Sequence, residues 1–387
     1  MNTYVITDYG VKKNETALQT AQFQAVLDLC RENGGTVVVP AGTYYISGVW
    51  MHSDTTLYLE AGARIMGSTN CEDYPIWPVP EGVEMRSDME MITQYYGKPW
   101  DAYRRAMISS YGTKNISIIG EIDSVIDGQD CIDNEGEEGY RGPHGIYITN
   151  CENVLLRDYT IQHNGNFMHQ LDKCTNVEMR NVVCRGGSDG IHLHCCEHTL
   201  ITDCDFTTGD DCIAGINIRD LHVQFCKLNT SCNLFRMGGV GILVEKCHMY
   251  GPGFYPHRMT IRQKDGTFLP RTAGRHNTIA LVDYFASMNF PFEPSHDIVF
   301  RDCVIENMEH LIWYTADGGP LCSGTYFAEM TLDNVVFTGV AKAARVTGCE
   351  KVPLVVKTRN VSVSFREGSE DTCLVHPDSP YTSVVEF

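Results

Sequence analysis

Positive charge is what this sequence lacks most. Its 387 residues hold 30 Lys plus Arg against 49 Asp plus Glu, a formal net charge of −19. A phosphate backbone or an anionic lipid surface needs a partner of the opposite sign, so neither nucleic acid nor membrane is expected as a partner. Long apolar runs are also missing, since none approaches the ~18 residues of a spanning helix. The first residues, Met1-Asn2-Thr3-Tyr4-Val5-Ile6-Thr7-Asp8, lack the basic start and apolar stretch of a secretion signal, and a cytoplasmic location is the expectation. The 17 cysteines are odd in number and mostly scattered singly. In a reducing compartment they read as free thiols that serve as small buried hydrophobes. Helical periodicity is confined to one place. Leu18, Ala21, Ala25, Val26 and Leu29 recur at helical spacing before an Asn33-Gly34-Gly35 stop, which predicts a helix capping something larger, with the cap over about 1–35. At 43% hydrophobic and 20% charged residues, the composition excludes disordered, collagen-like and coiled-coil classes.

What is present is a repeat. Val154-Leu155-Leu156-Arg157-Asp158-Tyr159 resembles Val177-Glu178-Met179-Arg180-Asn181-Val182, and the unit returns ending at Cys204, Cys226 and Cys247. The end positions 159, 182, 204, 226 and 247 are 23, 22, 22 and 21 residues apart. The unit comes back at Ile298–Cys303 and, weakly, at Met330–Val335. A period of 20–25 residues built on short alternating strands is a solenoid. Without a leucine-rich signature, the Asn- and Cys-punctuated unit fits an all-β, parallel β-helix with one coil per repeat. Stacked coils then set residue i beside about i+22 at strand spacing, which predicts an internal column of Cys204, Cys226, Cys247 and Cys303. No linker or low-complexity segment interrupts the chain, so one domain over 1–387 is expected. Two irregular stretches, about 70–105 and 250–292, carry aromatics, Pro and Gly and are expected to wall a cleft.

The densest polar signal lies in Gly187-Ser188-Asp189-Gly190-Ile191 and Thr208-Gly209-Asp210-Asp211-Cys212-Ile213. Asp189 and Asp211 differ by 22 and should stack, with Asp210 one residue off the column. Three carboxylates converging on one exposed strand face repel one another and should raise at least one pKa. Such crowding serves either hydrolytic acid/base chemistry or a bound cation. Inverting glycoside hydrolysis needs one protonated carboxyl at the leaving oxygen and a carboxylate that activates water ~6.5–9.5 Å away. A calcium-dependent lyase also uses clustered aspartates, together with a strong base. The same register sets Arg236 in line with Ala214 and His192, alternating with inward Ile191, Ile213 and Phe235, so His192 and Arg236 should face outward as substrate contacts. His169, one coil before Asp189, is a further candidate, with a core or ladder role as its alternative. The run His192, His194, Cys196, His198 shares one strand face but spans ~20 Å, too far for one ion, so no metal is expected there.

Several segments resemble the family 28 glycoside hydrolases, the polygalacturonase group. These are Asp8-Tyr9-Gly10-Val11, Gly34–Tyr44, the Ile126-Asp127-Gly128 turn, Gly187-Ser188-Asp189 in place of an Asn-Thr-Asp motif, and Gly209-Asp210-Asp211-Cys212-Ile213-Ala214. The resemblance runs from about residue 5 to 305. It implies a right-handed parallel β-helix and an inverting glycoside hydrolase that needs no cofactor. Asp210 would be the general acid, and Asp189 and Asp211 would hold and activate the water. The family's Gly-His-Gly, one coil after the Asp pair, is absent, because that place reads Thr230-Ser231-Cys232-Asn233-Leu234. For the family's uronate-gripping Arg-x-Lys strand there are two alternatives, His257-Arg258 and Arg262-Gln263-Lys264, and the choice stays open. The expected function is hydrolysis of short oligosaccharides, exo-acting where the long loops close one end of the cleft. Uronic-acid, rhamnose-type and neutral sugars are all open. The alternatives are a β-helix polysaccharide lyase, an intramolecular transglycosidase, or a non-catalytic carbohydrate-binding β-helix.

Overall fold

The computed structural model describes residues 2–85, 101–134, 141–257, 275–286, 292–318, 322, 324–369 and 372–387. The chain is a parallel β-helix made of two compact units, one built on residues up to His192 and one on residues from Leu193 onward.

In the first unit each coil supplies three strands, and each strand lies parallel to its counterpart one coil later. One ladder runs Thr3–Val5, Gly35–Val39, Thr55–Leu59, Lys114–Gly120, Glu152–Arg157 and Thr175–Arg180. A second runs Val49–Trp50, Ala106–Tyr111, His144–Thr149 and His169–Asp172. A third runs Gly42–Tyr45, Ala63–Met66, Val125–Asp127, Thr160–Gln162 and Val183–Gly186. Alternation decides the faces. Val154 pairs with Val177 and Leu156 with Met179, and all four are buried, whereas Leu155 and Glu178 between them face outward.

The corners explain the Asn and Asp punctuation. Asp54, Asn115, Asn153 and Asn176 all sit at φ between 55° and 61°, a left-handed conformation that Asn and Asp tolerate. Their side chains also join successive coils. Asn115 Nδ2 donates to Asp54 (2.6 Å), Asn153 to Asn115 (2.8 Å) and Asn176 to Asn153 (3.1 Å). One residue type thus supplies both the turn and the ladder.

The predicted helix forms over Thr20–Asp28. Its buried residues are Phe23, Val26 and Leu27, whereas Leu18 and Leu29 are exposed, because Leu18 precedes the helix and Leu29 is its C-cap. Gln24 clamps the backbone of Trp50 through both amide atoms (2.7 and 3.1 Å), so the helix covers the edge strand Val49–Trp50.

In the second unit, Ile213–Gln224 and Asn233–Glu245 are long strands that run through a bend with a register shift between Gly215 and Ile218. Glu197–Thr202, Ile213–Gln224, Asn233–Glu245, His296–Arg301, Glu329–Asp333, Leu354–Arg359 and Thr382–Glu386 form one ladder. Asp205–Thr208, Lys227–Thr230, His248–Tyr250, Val304–Glu306, Val336–Val340 and Ser362–Phe365 form another. Cys204, Cys226, Cys247 and Cys303 are all buried free thiols. They stack coil on coil, the amide after each cysteine bonding to the carbonyl of the cysteine before it (2.9–3.1 Å). The excursion expected over 250–292 is not structureless. Thr278–Tyr284 is a strand between Asn233–Met237 and Met308–Trp313. The first expected loop is described over 70–85 and 101–105. Among the described residues no helix is long and apolar enough to cross a membrane.

Candidate active site

Asp189 in the first unit is 2% exposed, and its carboxylate lies 3.5 Å from His192 Nε2. His192 stacks on Phe167 with ring centroids 4.3 Å apart, and the Arg141 guanidinium caps that ring at 4.8 Å. Phe167 is buried and continues an aromatic row through His144, Tyr147, Tyr111 and Trp50 to Trp77, with centroid steps of 4.8–5.5 Å. Trp77 and Tyr103 come from the first expected loop, which therefore packs against the strands as aromatic wall.

His169 is placed in the interior. It takes the register of Ile146 and alternates with Leu171, and it is fully buried. One ring nitrogen pairs with Tyr159 Oη (2.8 Å) and the other with the Gly190 carbonyl (2.9 Å). Burial lowers its pKa to about 4, so it stays neutral inside the coil. The substrate contact expected for His169 has no support from this placement, and its alternation with Leu171 was the signal for an inward direction. Arg258, Arg262 and Lys264 lie outside the described residues.

The second unit holds the other two aspartates, one residue apart on a bend. Thr208 Oγ1 (2.7 Å) and Thr230 Oγ1 (2.5 Å) both donate to the Asp210 carbonyl, which fixes the backbone there. The Asp211 N–H donates to Asp210 Oδ1 (3.1 Å). Asp211 is almost fully buried, its side chain 1% exposed against 10% for Asp210. Burial, then repulsion from Asp210, raises the Asp211 pKa. Asn233 opposes this shift by donating to Asp211 Oδ1 from both its backbone (3.1 Å) and its side chain (2.9 Å). Arg236 opposes it as well, at 4.0 Å from Asp211 Oδ2. His257 Nε2 stands 3.4 Å from Asp210 Oδ1. The place where the family's His was sought, Thr230–Leu234, has none, but an imidazole reaches Asp210 from His257.

A third carboxylate joins this cluster, and the repeat count did not single it out. Asp283 pairs in register with Arg236, and its Oδ2 is 3.5 Å from Arg236 Nε and 3.4 Å from Asn233 Nδ2. Burial first, then Asp211 and Asp210, push its pKa up to about 7 against the pull of Arg236. Arg236 is held over the Phe285 ring at 4.5 Å and stays charged beside its carboxylates. Asp283 is 47 residues after Arg236, and the stretch 258–274 between them breaks the 22-residue count. Only the alternation within Thr278–Tyr284 could have flagged it.

Asp210, Cys232 and His257 bring one ligand atom each within 4.8 Å of one another and could hold a cation. Burial, then Asp211 and Asp210, raise the Cys232 pKa far above that of an ordinary thiol, which opposes the thiolate a soft metal requires. What the cluster offers without further help is proton chemistry: two adjacent aspartates that cannot both ionise cheaply, flanked by an imidazole on one and a guanidinium on the other.

Residues 69–238 match the family described as glycosyl hydrolases family 28. The chain is 36% identical over 128 residues to an exo-poly-alpha-D-galacturonosidase of Dickeya chrysanthemi, a match covering 32% of this chain and 19% of that one. It spans less than half the length of the curated relatives it matches. In fold it is similar to the family 28 exopolygalacturonase of Yersinia enterocolitica, with a TM-score of 0.70 at 16% identity over 100% of this chain and 78% of that one. It is also similar to the polygalacturonase of Erwinia carotovora ssp. carotovora, with a TM-score of 0.63 at 14% identity over 96% of this chain and 95% of that one. These likenesses make the solenoid a right-handed parallel β-helix. The family match spans Asp189, Asp210, Asp211 and Arg236, so the part of the chain that carries the polar cluster is similar to the glycosyl hydrolases of family 28.

Proposed function

We propose that the chain is an inverting glycosidase that hydrolyses galacturonate-containing oligosaccharides, with Asp210 as general acid. The observation that carries this reading is the Asp210–Asp211 pair. Two carboxyls joined through one backbone amide, one of them almost fully buried, repel one another and so hold a shared proton more readily than separate carboxyls would, burial and that repulsion raising the Asp211 pKa. Asp210 is the more open of the two, so the shared proton leaves through it toward the glycosidic oxygen. His257 faces the same carboxylate and stabilises the charge that remains after transfer. Asp211, fixed by two hydrogen bonds from Asn233, stays in place as the base that orients water. By the 22-residue repeat Asp189 belongs to the same column as Asp211, and we assign it to the water as well. His192, stacked on Phe167 beside Asp189, and Arg236 are the substrate contacts of this reading. The galacturonate preference draws on the name of the Dickeya relative.

The test is product analysis on short oligosaccharides, galacturonate oligomers included, comparing the wild-type protein with Asp210→Asn. New reducing ends formed by the wild type and lost in the variant support the reading. An unsaturated, ultraviolet-absorbing product makes the protein a lyase, a cyclic anhydride makes it a transglycosidase, and equal turnover by both proteins removes Asp210 from the acid role.

A further inference from the structure

Two buried cysteines of the first unit meet outside the 22-residue column. Cys71 and Cys131 are 60 residues apart in sequence, and their sulfurs lie 3.4 Å from one another. Both are free thiols. Cys71 opens the single turn Cys71–Asp73 at the start of the first expected loop. Six residues on, Trp77 ends the aromatic row that leads through Phe167 to His192 beside Asp189. Cys131 follows the Ile126-Asp127-Gly128 turn of the coil, its amide donating to the Gly128 carbonyl (3.1 Å). A Cβ on Gly142 or Gly165 would stand 2.0 or 1.8 Å from the Cys131 carbonyl oxygen, so the backbone is packed tightly around this residue. The two segments also share a cation. Arg105 grips both Glu72 oxygens at 2.8 Å and lies 4.0 Å from Asp133.

We propose that Cys71 and Cys131 are a peroxide-sensitive pair whose reversible disulfide pins the aromatic wall to the coil. The hydrogen bond from Cys131 lowers the Cys71 pKa against the opposing effect of burial, and Arg105 adds to the lowering. Cys71 is therefore the nucleophile. Its thiolate attacks one oxygen of hydrogen peroxide, the O–O bond breaks, and the departing hydroxide takes a proton to become water. The Cys131 sulfur then attacks the Cys71 sulfenic acid. An S–S bond replaces the S–O bond, and a second water leaves with the Cys131 proton. Two thiols give up two electrons and two protons to one peroxide, which yields one disulfide and two waters. The sulfurs must close from 3.4 Å to the ~2.05 Å of a disulfide. Cys71 sits on a one-turn segment rather than in a ladder, so that movement breaks no strand pairing. Access and partners separate this pair from the cysteine column. Cys71 is 7% exposed, whereas Cys204, Cys226, Cys247 and Cys303 are 1–3% exposed. Each column sulfur also donates to the carbonyl two residues before it (3.2–3.3 Å).

The proposal is independent of the hydrolase reading, and its test uses no substrate. The full-length protein is treated with hydrogen peroxide, the remaining thiols are alkylated, and the unreduced digest is read by mass spectrometry. Two peptides joined through Cys71 and Cys131 should appear, two hydrogens lighter than the sum of their parts, and dithiothreitol should separate them. The bridge should raise the thermal unfolding midpoint by roughly 3 °C, because closing a long loop restricts the unfolded chain, and the reductant should remove the rise. Cys131→Ser should stop at the Cys71 sulfenic acid, which dimedone traps, and Cys71→Ser should give neither product. Circular dichroism checks that each variant is folded, and the wild-type digest decides the question even where a variant is not. Bridges confined to the interior column, a Cys71 that stays a thiol or oxidises without bridging, or a bridge that leaves the midpoint unchanged or lower overturns the proposal.

Discussion

Asp283→Asn should flatten the pH dependence of stability. In the folded protein the Asp283 pKa is pushed up to about 7 from 3.8, chiefly by burial. Below about pH 4 the group is protonated whether the chain is folded or not. Between pH 4 and 7 only the folded chain keeps the proton, so stability falls by up to ~1.4 kcal/mol per pH unit. Above about pH 7 both states are ionised and nothing further is lost. Three pH units give about 4 kcal/mol, and solvent at a side chain that is 21% exposed reduces this to about 2–4 kcal/mol. Asp211 is raised in the same direction, so part of the slope survives in the variant. Urea unfolding followed by circular dichroism at pH 5, 6, 7 and 8 measures it. The wild type should lose stability across that range by about 1–3 kcal/mol more than Asp283→Asn. If the two proteins lose stability in parallel, Asp283 is not the carboxyl that holds the proton.

The remaining expectations concern the same unit. Asp210→Asn should cut kcat by about 10²–10⁴-fold with little change in unfolding midpoint, because a positioned general acid is worth that much and the amide keeps the shape. Arg236→Ala strands Asp211 and Asp283 without their shared cation, so at pH 8 it should cost about 1–3 kcal/mol in urea unfolding, and Arg236→Lys should recover part of this. Gly215→Ala would place a Cβ 1.8 Å from the Leu193 carbonyl oxygen at the bend of a long strand, and a loss of about 3 kcal/mol is expected by the same assay; a neutral result would mean that the strand bends by another route.

The solenoid was legible because its signal is repeated. The 22-residue period predicts both the cysteine column and the buried alternation of Val154, Leu156, Val177 and Met179. The same count set His192 and Arg236 beside carboxylates, where the structure has them against Asp189 and Asp211. Where the count breaks, the reading fails. Asp283 lies beyond an insertion, where the 22-residue count no longer reaches it. His257 was a candidate with no means of choosing it over its neighbours, since reaching Asp210 depends on how the chain returns to the coil. For His169 the sequence left a substrate contact and a core role equally open, and the alternation with Leu171, which turns its ring toward Tyr159, decides for the core.

The most direct test of the central claim is the anomeric configuration of the first product. Hydrolysis of a galacturonate oligomer is followed by proton NMR within the first turnovers, for the wild type and for Asp210→Asn. The expected product has its newly freed anomeric carbon inverted relative to the substrate, and the variant should form none of it. A retained configuration, an unsaturated sugar, or an undiminished rate in Asp210→Asn would contradict the assignment of Asp210 as the acid of an inverting hydrolase.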